Sequence, residues 1–135
     1  RRVLFRSATP RVPPAPRPKR SIEWQLGECL TNLYIGLLRD QRGEKLTAMR
    51  FIQHFALDRL LELAAELEAP QAGHIDPYSP ERRFEQRYPQ TSVHLGKFMQ
   101  GYEKNRESAG AQLAFLDQHF ELNETLKAKI NELLN

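Results

Sequence analysis

The chain has little of what most chemical sites need. Its single cysteine, Cys29, excludes an internal disulfide and any zinc centre built on thiolates. The seven glycines stand apart from one another, so neither a Walker loop nor a dinucleotide fingerprint is present. No serine or cysteine lies in a Gly-x-Ser-x-Gly context, which leaves nucleophilic catalysis without its strained elbow. No run approaches the roughly eighteen apolar residues of a membrane span, and no signal-peptide pattern opens the chain. Strand-like alternation never persists beyond a few residues, and there is no internal repeat. These absences point to a helical protein with no membrane partner, working in the cytoplasm.

Acid is missing from one segment. Residues 1–20 hold seven of the 20 basic residues (Arg1, Arg2, Arg6, Arg11, Arg17, Lys19 and Arg20) and none of the acidic ones. That leaves 13 basic against 17 acidic residues over positions 21–135, a net charge of −4. The pI of 9.2 therefore belongs to the arm. The arm also holds five of the nine prolines, at 10, 13, 14, 16 and 18, which remove backbone donors and hold the chain extended. It is expected to be disordered. Clustered Lys and Arg gain from phosphate neutralisation, but Phe5 is the one aromatic among them, so bases find no stacking platform and nucleic-acid binding is not expected. The first seven residues, RRVLFRS, resemble a translated sequencing adaptor of the kind found at the ends of short metagenomic assemblies. Residues 1–7 are therefore left out of fold reasoning. On that expectation the chain is a fragment without its natural N-terminus.

Residues 21–135 suffice for one domain with a modest core, and they read as an all-α bundle of five or six helices. Ser21 is a good N-cap and Gly43 a good C′ residue for the first helix. Ile22, Leu26, Cys29, Leu30, Leu33 and Leu37 recur at spacings of three and four, beside a second stripe of Trp24, Thr31, Tyr34 and Leu38. So wide an apolar face implies two packing neighbours. Cys29 falls inside it as a buried small thiol. The second helix is expected over residues 44–68, with Met49, Ile52, Ala56, Leu60, Leu63 and Leu67 inward and Leu46, Leu57, Leu61 and Ala64 flanking them. Pro70 and Gly73 end it, and a turn-rich loop follows. A short helix is expected over ERRFEQRY, with Ser79 as N-cap and Pro80 at N1. Thr91 or Ser92 would open another over HLGKFMQGY, interrupted at Gly101. Two amphipathic helices close the chain: residues 108–120, then one capped by Asn123 with Leu126, Ile130, Leu133 and Leu134 inward.

Three groups of residues carry chemical interest. The outer arc of the second helix mixes Arg50, His54, Asp58 and Glu62 with Phe51 and Phe55, an unusual blend for a plainly solvated face. His54 and Asp58 are four apart and side by side on a helix, which suits a proton relay, half a metal site or, more commonly, a structural hydrogen bond. A catalytic zinc needs three protein ligands, and His74, His94 and His119 lie apart in sequence, so no metal set can be drawn. Arg82, Arg83 and Arg87 place three forked cations on two expected helical turns, suited to phosphate or carboxylate. The plainer reading pairs them with Glu62, Glu66, Glu81 or Glu85.

The order LGECLTNLYIGLLRDQRGEKLTAMRFIQHFALDRLLEL, a turn-rich loop, then ERRFEQRYP and FMQGYEKNRESA resembles the C-terminal helical domain of antibiotic nucleotidyltransferases, closest to the lincosamide type. The likeness spans about residues 22–132 and consists of helical patterns, with no catalytic signature among them. It implies a missing N-terminal nucleotidyltransferase domain whose paired Asp residues, after a Gly-Ser motif, bind magnesium and ATP and activate a drug hydroxyl. This chain has neither Gly-Ser nor Asp-x-Asp, so no catalytic residue is expected in it and it should be inactive alone. What remains is the drug-side wall of a cleft. Arg50, Phe51, His54, Phe55, Asp58, Arg82 and Arg83 are the candidate substrate-binding residues, chosen because aromatic surface and a charged rim suit a drug-sized ligand. The surface of Trp24, Tyr34 or Phe51 is the expected contact with the missing domain. A rival expectation is a helical dimerisation or ligand-binding module of a regulator.

Overall fold

A computed structural model describes residues 20–71 and 75–135, and every regular element among them is helical. The expected arm lies outside the described residues except for Arg20, as does His74. Helix α1 spans Ile22–Gln41. The Ser21 hydroxyl accepts from the Trp24 N–H at 3.0 Å, satisfying one of the donors a helix start leaves open. At the other end Gly43 takes φ +82°. Its N–H donates to Asp40 O while that of Glu44 donates to Arg39 O, both at 3.0 Å, the paired bonds of a Schellman stop.

The second helix is one rod in four pieces: α2 (Lys45–Arg50), a π-helical turn (Phe51–Ala56), α3 (Leu57–Glu62) and α4 (Ala64–Leu67). The wide turn adds a residue per hydrogen-bonded ring and so shifts the phase of the helix by about one residue, roughly 100°. That shift is why Leu46, expected beside the core, is 55% exposed while Ile52, Ala56, Leu57, Leu60, Leu63 and Ala64 are buried. The side chain of Gln112 steadies the turn from outside the rod. Its Nε2 donates to Ile52 O at 2.8 Å and to Phe98 O at 3.2 Å.

Beyond residue 75 the chain makes three single-turn helices, α5 (Phe84–Arg87), α6 (Pro89–Ser92) and α7 (Leu95–Phe98), then α8 (Asn105–His119) and α9 (Glu124–Leu134). The helix expected from Pro80 does not start there. Residues 80–83 form turns and Arg83 adopts φ +62°, a left-handed backbone that an L-residue helix cannot continue through. Pro89 occupies the first position of α6, where its missing N–H costs nothing. Helix α8 starts three residues before the expected Ser108. Asn123 caps α9 as expected, its side chain accepting from Leu126 N–H at 2.9 Å.

Helix α1 is the central rod. Its Leu26, Cys29, Leu30, Leu33 and Leu37 meet Ile52, Ala56, Leu57, Leu60 and Leu63 on one side, and Ala109, Leu113, Leu116, Leu122 and Ile130 on the other. The two packing neighbours expected for α1 are thus present, but its first stripe supplies the buried apolar residues; of the second, Trp24, Tyr34 and Leu38 are half-buried and Thr31 is exposed. Truncating a fully buried leucine such as Leu30 or Leu33 to alanine costs about 2–5 kcal/mol. Trp24 and Tyr34 are partly covered: Trp24 lies between Arg20 and Arg59, whose guanidinium carbons sit 4.1 and 5.6 Å from its ring, and Tyr34 packs on the core. A second, smaller core of Ala64, Phe84 and Tyr88 fastens the loop region to α3 and α4. None of the described helices is long and apolar enough to cross a membrane.

Candidate functional site

The small core decides where the site is. The Phe84 and Tyr88 rings meet at 5.2 Å, tilted by 40°, and pack with Ala64 and Leu61, which holds residues 80–88 against the end of the second helix. Three polar clamps fix the same segment. Gln71 N–H donates to Arg87 O at 2.8 Å. The Glu68 carboxylate accepts from Gln90 N–H at 3.1 Å and Thr91 N–H at 2.6 Å, where α6 begins. Asp76 accepts from Tyr78 N–H at 2.9 Å and pairs with Arg82 at 3.3 Å.

Between this segment and α3 lies a cleft of about 320 Å³. One wall is Asp58, Arg59, Leu61 and Glu62, and the other is Ile75, Pro80, Glu81, Phe84, Arg87 and Tyr88. Leu61, Ile75, Phe84 and Tyr88 supply apolar surface, and the remaining charged groups make a polar frame. That is the usual composition of a small-molecule site, at the small end of the usual range.

Arg87 is the unusual group in it. The residue is 5% exposed. Its Nη2 donates to the carbonyls of Pro80 and, at 3.3 Å, Arg82, while its buried Nε has no hydrogen-bond partner. The guanidinium carbon lies 5.5 Å from the Tyr88 ring centroid. Facing it, Glu62 is engaged with Arg59 at 2.9 Å and accepts from Gln25 Nε2 at 3.2 Å.

The carboxyl groups that hold the segment are tuned by their bonds. Burial works to raise the Glu68 pKa, but hydrogen bonds from Thr91 and from Gln90 N–H outweigh it and keep the group below its ordinary range. The Tyr78 N–H bond and then the Arg82 guanidinium do the same for Asp76.

The residues expected from sequence fall in three places. Arg50, Phe51, His54 and Phe55 lie on the second helix outside the cleft, at or near the π turn. Phe51 and Phe55 meet edge to face at 5.4 Å, and Arg39 sits 5.4 Å from the Phe51 ring. His54 Nε2 lies 3.5 Å from Asp58 Oδ2, with both side chains more than half exposed. Asp58 reaches the cleft wall, the one of the seven that does. Arg82 pairs with Asp76, and Arg83 is exposed on its left-handed backbone, so the three arginines do not share a helical face.

Two arrangements were not expected. The sequence groups Arg87 with Arg82 and Arg83 on one charged helix, and nothing local in it marks Arg87 as the buried member. His94 and His119, distant in sequence, flank one ring: their centroids are 5.0 and 4.6 Å from that of Phe115. Among the described residues no three His, Cys, Asp or Glu groups are placed to hold a metal ion. No family model, curated protein or solved structure matches this chain.

Proposed function

We propose that the chain is the substrate-binding and packing domain of a nucleotidyltransferase-like antibiotic resistance enzyme, holding a small-molecule drug while another domain carries the reaction. The observation that carries this reading is the cleft between α3 and residues 75–88, with apolar walls and a charged frame that includes Asp58. The likeness of residues 22–132 to the lincosamide-type family supports it. That likeness implies ATP and magnesium for the full-length enzyme, held by the paired Asp residues of its other domain. No catalytic step is assigned to these residues. Their role is to bind and orient: Phe84, Tyr88 and Leu61 cover the apolar body of the guest, and Asp58 and Glu81 meet its polar rim.

Titrating lincosamide drugs into the isotope-labelled chain tests the reading. Amide shifts confined to Asp58, Leu61, Phe84 and Tyr88 are expected. No shift with any such drug overturns it. So does nucleotide transfer to an acceptor by the purified chain in ATP and magnesium. A stable dimer in size-exclusion mass measurements, without drug affinity, favours a dimerisation module instead.

A further inference from the structure

A buried charge needs a counter-charge and filled hydrogen bonds, or it weakens the fold. Arg87 has neither in full. Its charge is met by two carbonyl dipoles, its Nε donates to nothing, and among the described residues no carboxylate forms an ion pair with it. The other arginine of the cleft is matched, Arg59 with Glu62 at 2.9 Å, while Asp58 lies 3.5 Å from the His54 imidazole and Glu81 stands exposed. Arg87 is thus the cation of the cleft that lacks a carboxylate beside it.

The geometry points to a carboxylate subsite: the cleft takes a small acid whose carboxylate sits against Arg87 and whose apolar, preferably aromatic, body lies along Leu61, Phe84 and Tyr88. The edge from Nε to Nη2 holds the one buried nitrogen of Arg87 without a partner, although Nη2 itself is bonded to the Pro80 and Arg82 carbonyls. Nε is unpartnered, and the Nη2 bond to Arg82 O is long at 3.3 Å. That edge matches the two oxygens of a carboxylate, and a guanidinium–carboxylate bond, charged on both sides, is stronger than the long guanidinium–carbonyl bond it would displace. Nε is closed to solvent, so the acid enters as the turn at residues 80–83 gives way, which also releases Nη2 from the Pro80 and Arg82 carbonyls. The Arg82 carbonyl belongs to the turn preceding the left-handed Arg83, outside any helix. The inference rests on reading the cleft as a ligand site. It does not need nucleotide chemistry.

The test uses the full chain, labelled with nitrogen-15, and three probes of one shape: benzoate, benzamide and benzylamine. Benzoate is expected to shift the Arg87 Nε–H resonance together with the amides of Phe84 and Tyr88, and to bind about ten-fold more tightly than benzamide, the value of one charge-assisted bond. Arg87→Lys keeps the charge but loses the fork, and should weaken benzoate about ten-fold. Glu81→Gln changes an exposed residue and removes a like charge from the frame, so it should tighten benzoate even where the Arg87 variant fails to fold. Equal affinity for benzoate and benzamide, preference for benzylamine, a silent Arg87 Nε–H, or no gain in Glu81→Gln each overturns the inference. Benzoate binding with no lincosamide binding keeps this subsite and removes the drug-enzyme reading. Lincosamide binding without benzoate binding does the reverse.

Discussion

Gln53 and Gly101 bond to each other in both directions. Gln53 Nε2 donates to Gly101 O at 2.8 Å and Gly101 N–H donates to Gln53 Oε1 at 2.9 Å. The side-chain amide thus acts as a strand-like partner for one residue of a loop. The same Nε2 also donates to the buried Asn105 at 2.9 Å, and Asn105 donates to Asp40 and to Lys45 O, each at 3.1 Å. One polar chain therefore ties the π turn to α1, to α2 and to the start of α8. Gln53→Ala should lower stability by about 1–2 kcal/mol, since it leaves the Gly101 groups without these partners. Gln53→Glu should be at least as harmful, because it puts an acceptor where Gly101 O needs a donor. Urea unfolding curves of the three proteins check both.

Gly36 lets α1 touch the π turn. A Cβ built there would lie 2.5 Å from Ile52 Cγ1 and 3.1 Å from Phe51 Cβ. Gly36→Ala should cost about 1–3 kcal/mol through overpacking, despite alanine's better helix propensity. A melting temperature equal to that of the parent would contradict the close approach.

At Gly43 space is not the issue, since a Cβ there meets nothing within 4 Å, but φ is +82°. Gly43→Ala should therefore cost about 1 kcal/mol from backbone strain alone. Gly43→Asn, which tolerates the left-handed region better, should recover part of the loss in the same denaturation assay.

Glu68 and Asp76 tie stability of the cleft segment to pH. Both have folded pKa values below their ordinary 4.5 and 3.8. Their contribution is complete above those ordinary values and is lost as pH falls through the lowered folded ones. Hydrogen exchange of the Gln90 and Thr91 amides should accelerate relative to α1 as the protein is acidified below about pH 4. Glu68→Gln should remove most of that pH dependence.

Cys29 is fully buried, and burial raises its pKa to about 12, only partly countered by Arg59. The thiolate is the reactive form. Reaction with a thiol reagent at pH 8 should therefore follow unfolding, becoming rapid only in denaturant. Fast labelling of the native protein would contradict the packing of α1.

How much was legible in advance depended on how far each interaction reaches along the chain. Ser21, Gly43 and Asn123 were readable as helix ends because a cap bonds residues three to five positions away, within the sequence pattern itself. The twin stripes of α1 were readable for the same reason. The π turn was not, since a helical wheel assumes one period throughout, and the Gln112 side chain that bonds Ile52 O comes from 60 positions further on. The site suffered the same fate. Asp58 was picked from its own helix and does reach the cleft, whereas Arg87 is marked out only by its burial among Tyr88 and the Pro80 and Arg82 carbonyls. A string of three arginines cannot say which of them loses its water.

By itself, the order of residues determined that this chain is helical, where α1 begins and ends and where α9 begins, because those outcomes follow from capping and periodicity over a few neighbouring positions. That the second helix carries a π turn, which arginine is buried, and that a cleft opens between α3 and residues 75–88 were decided by tertiary packing. Burial and desolvation are properties of surfaces brought together from distant parts of the chain, and no local pattern encodes them.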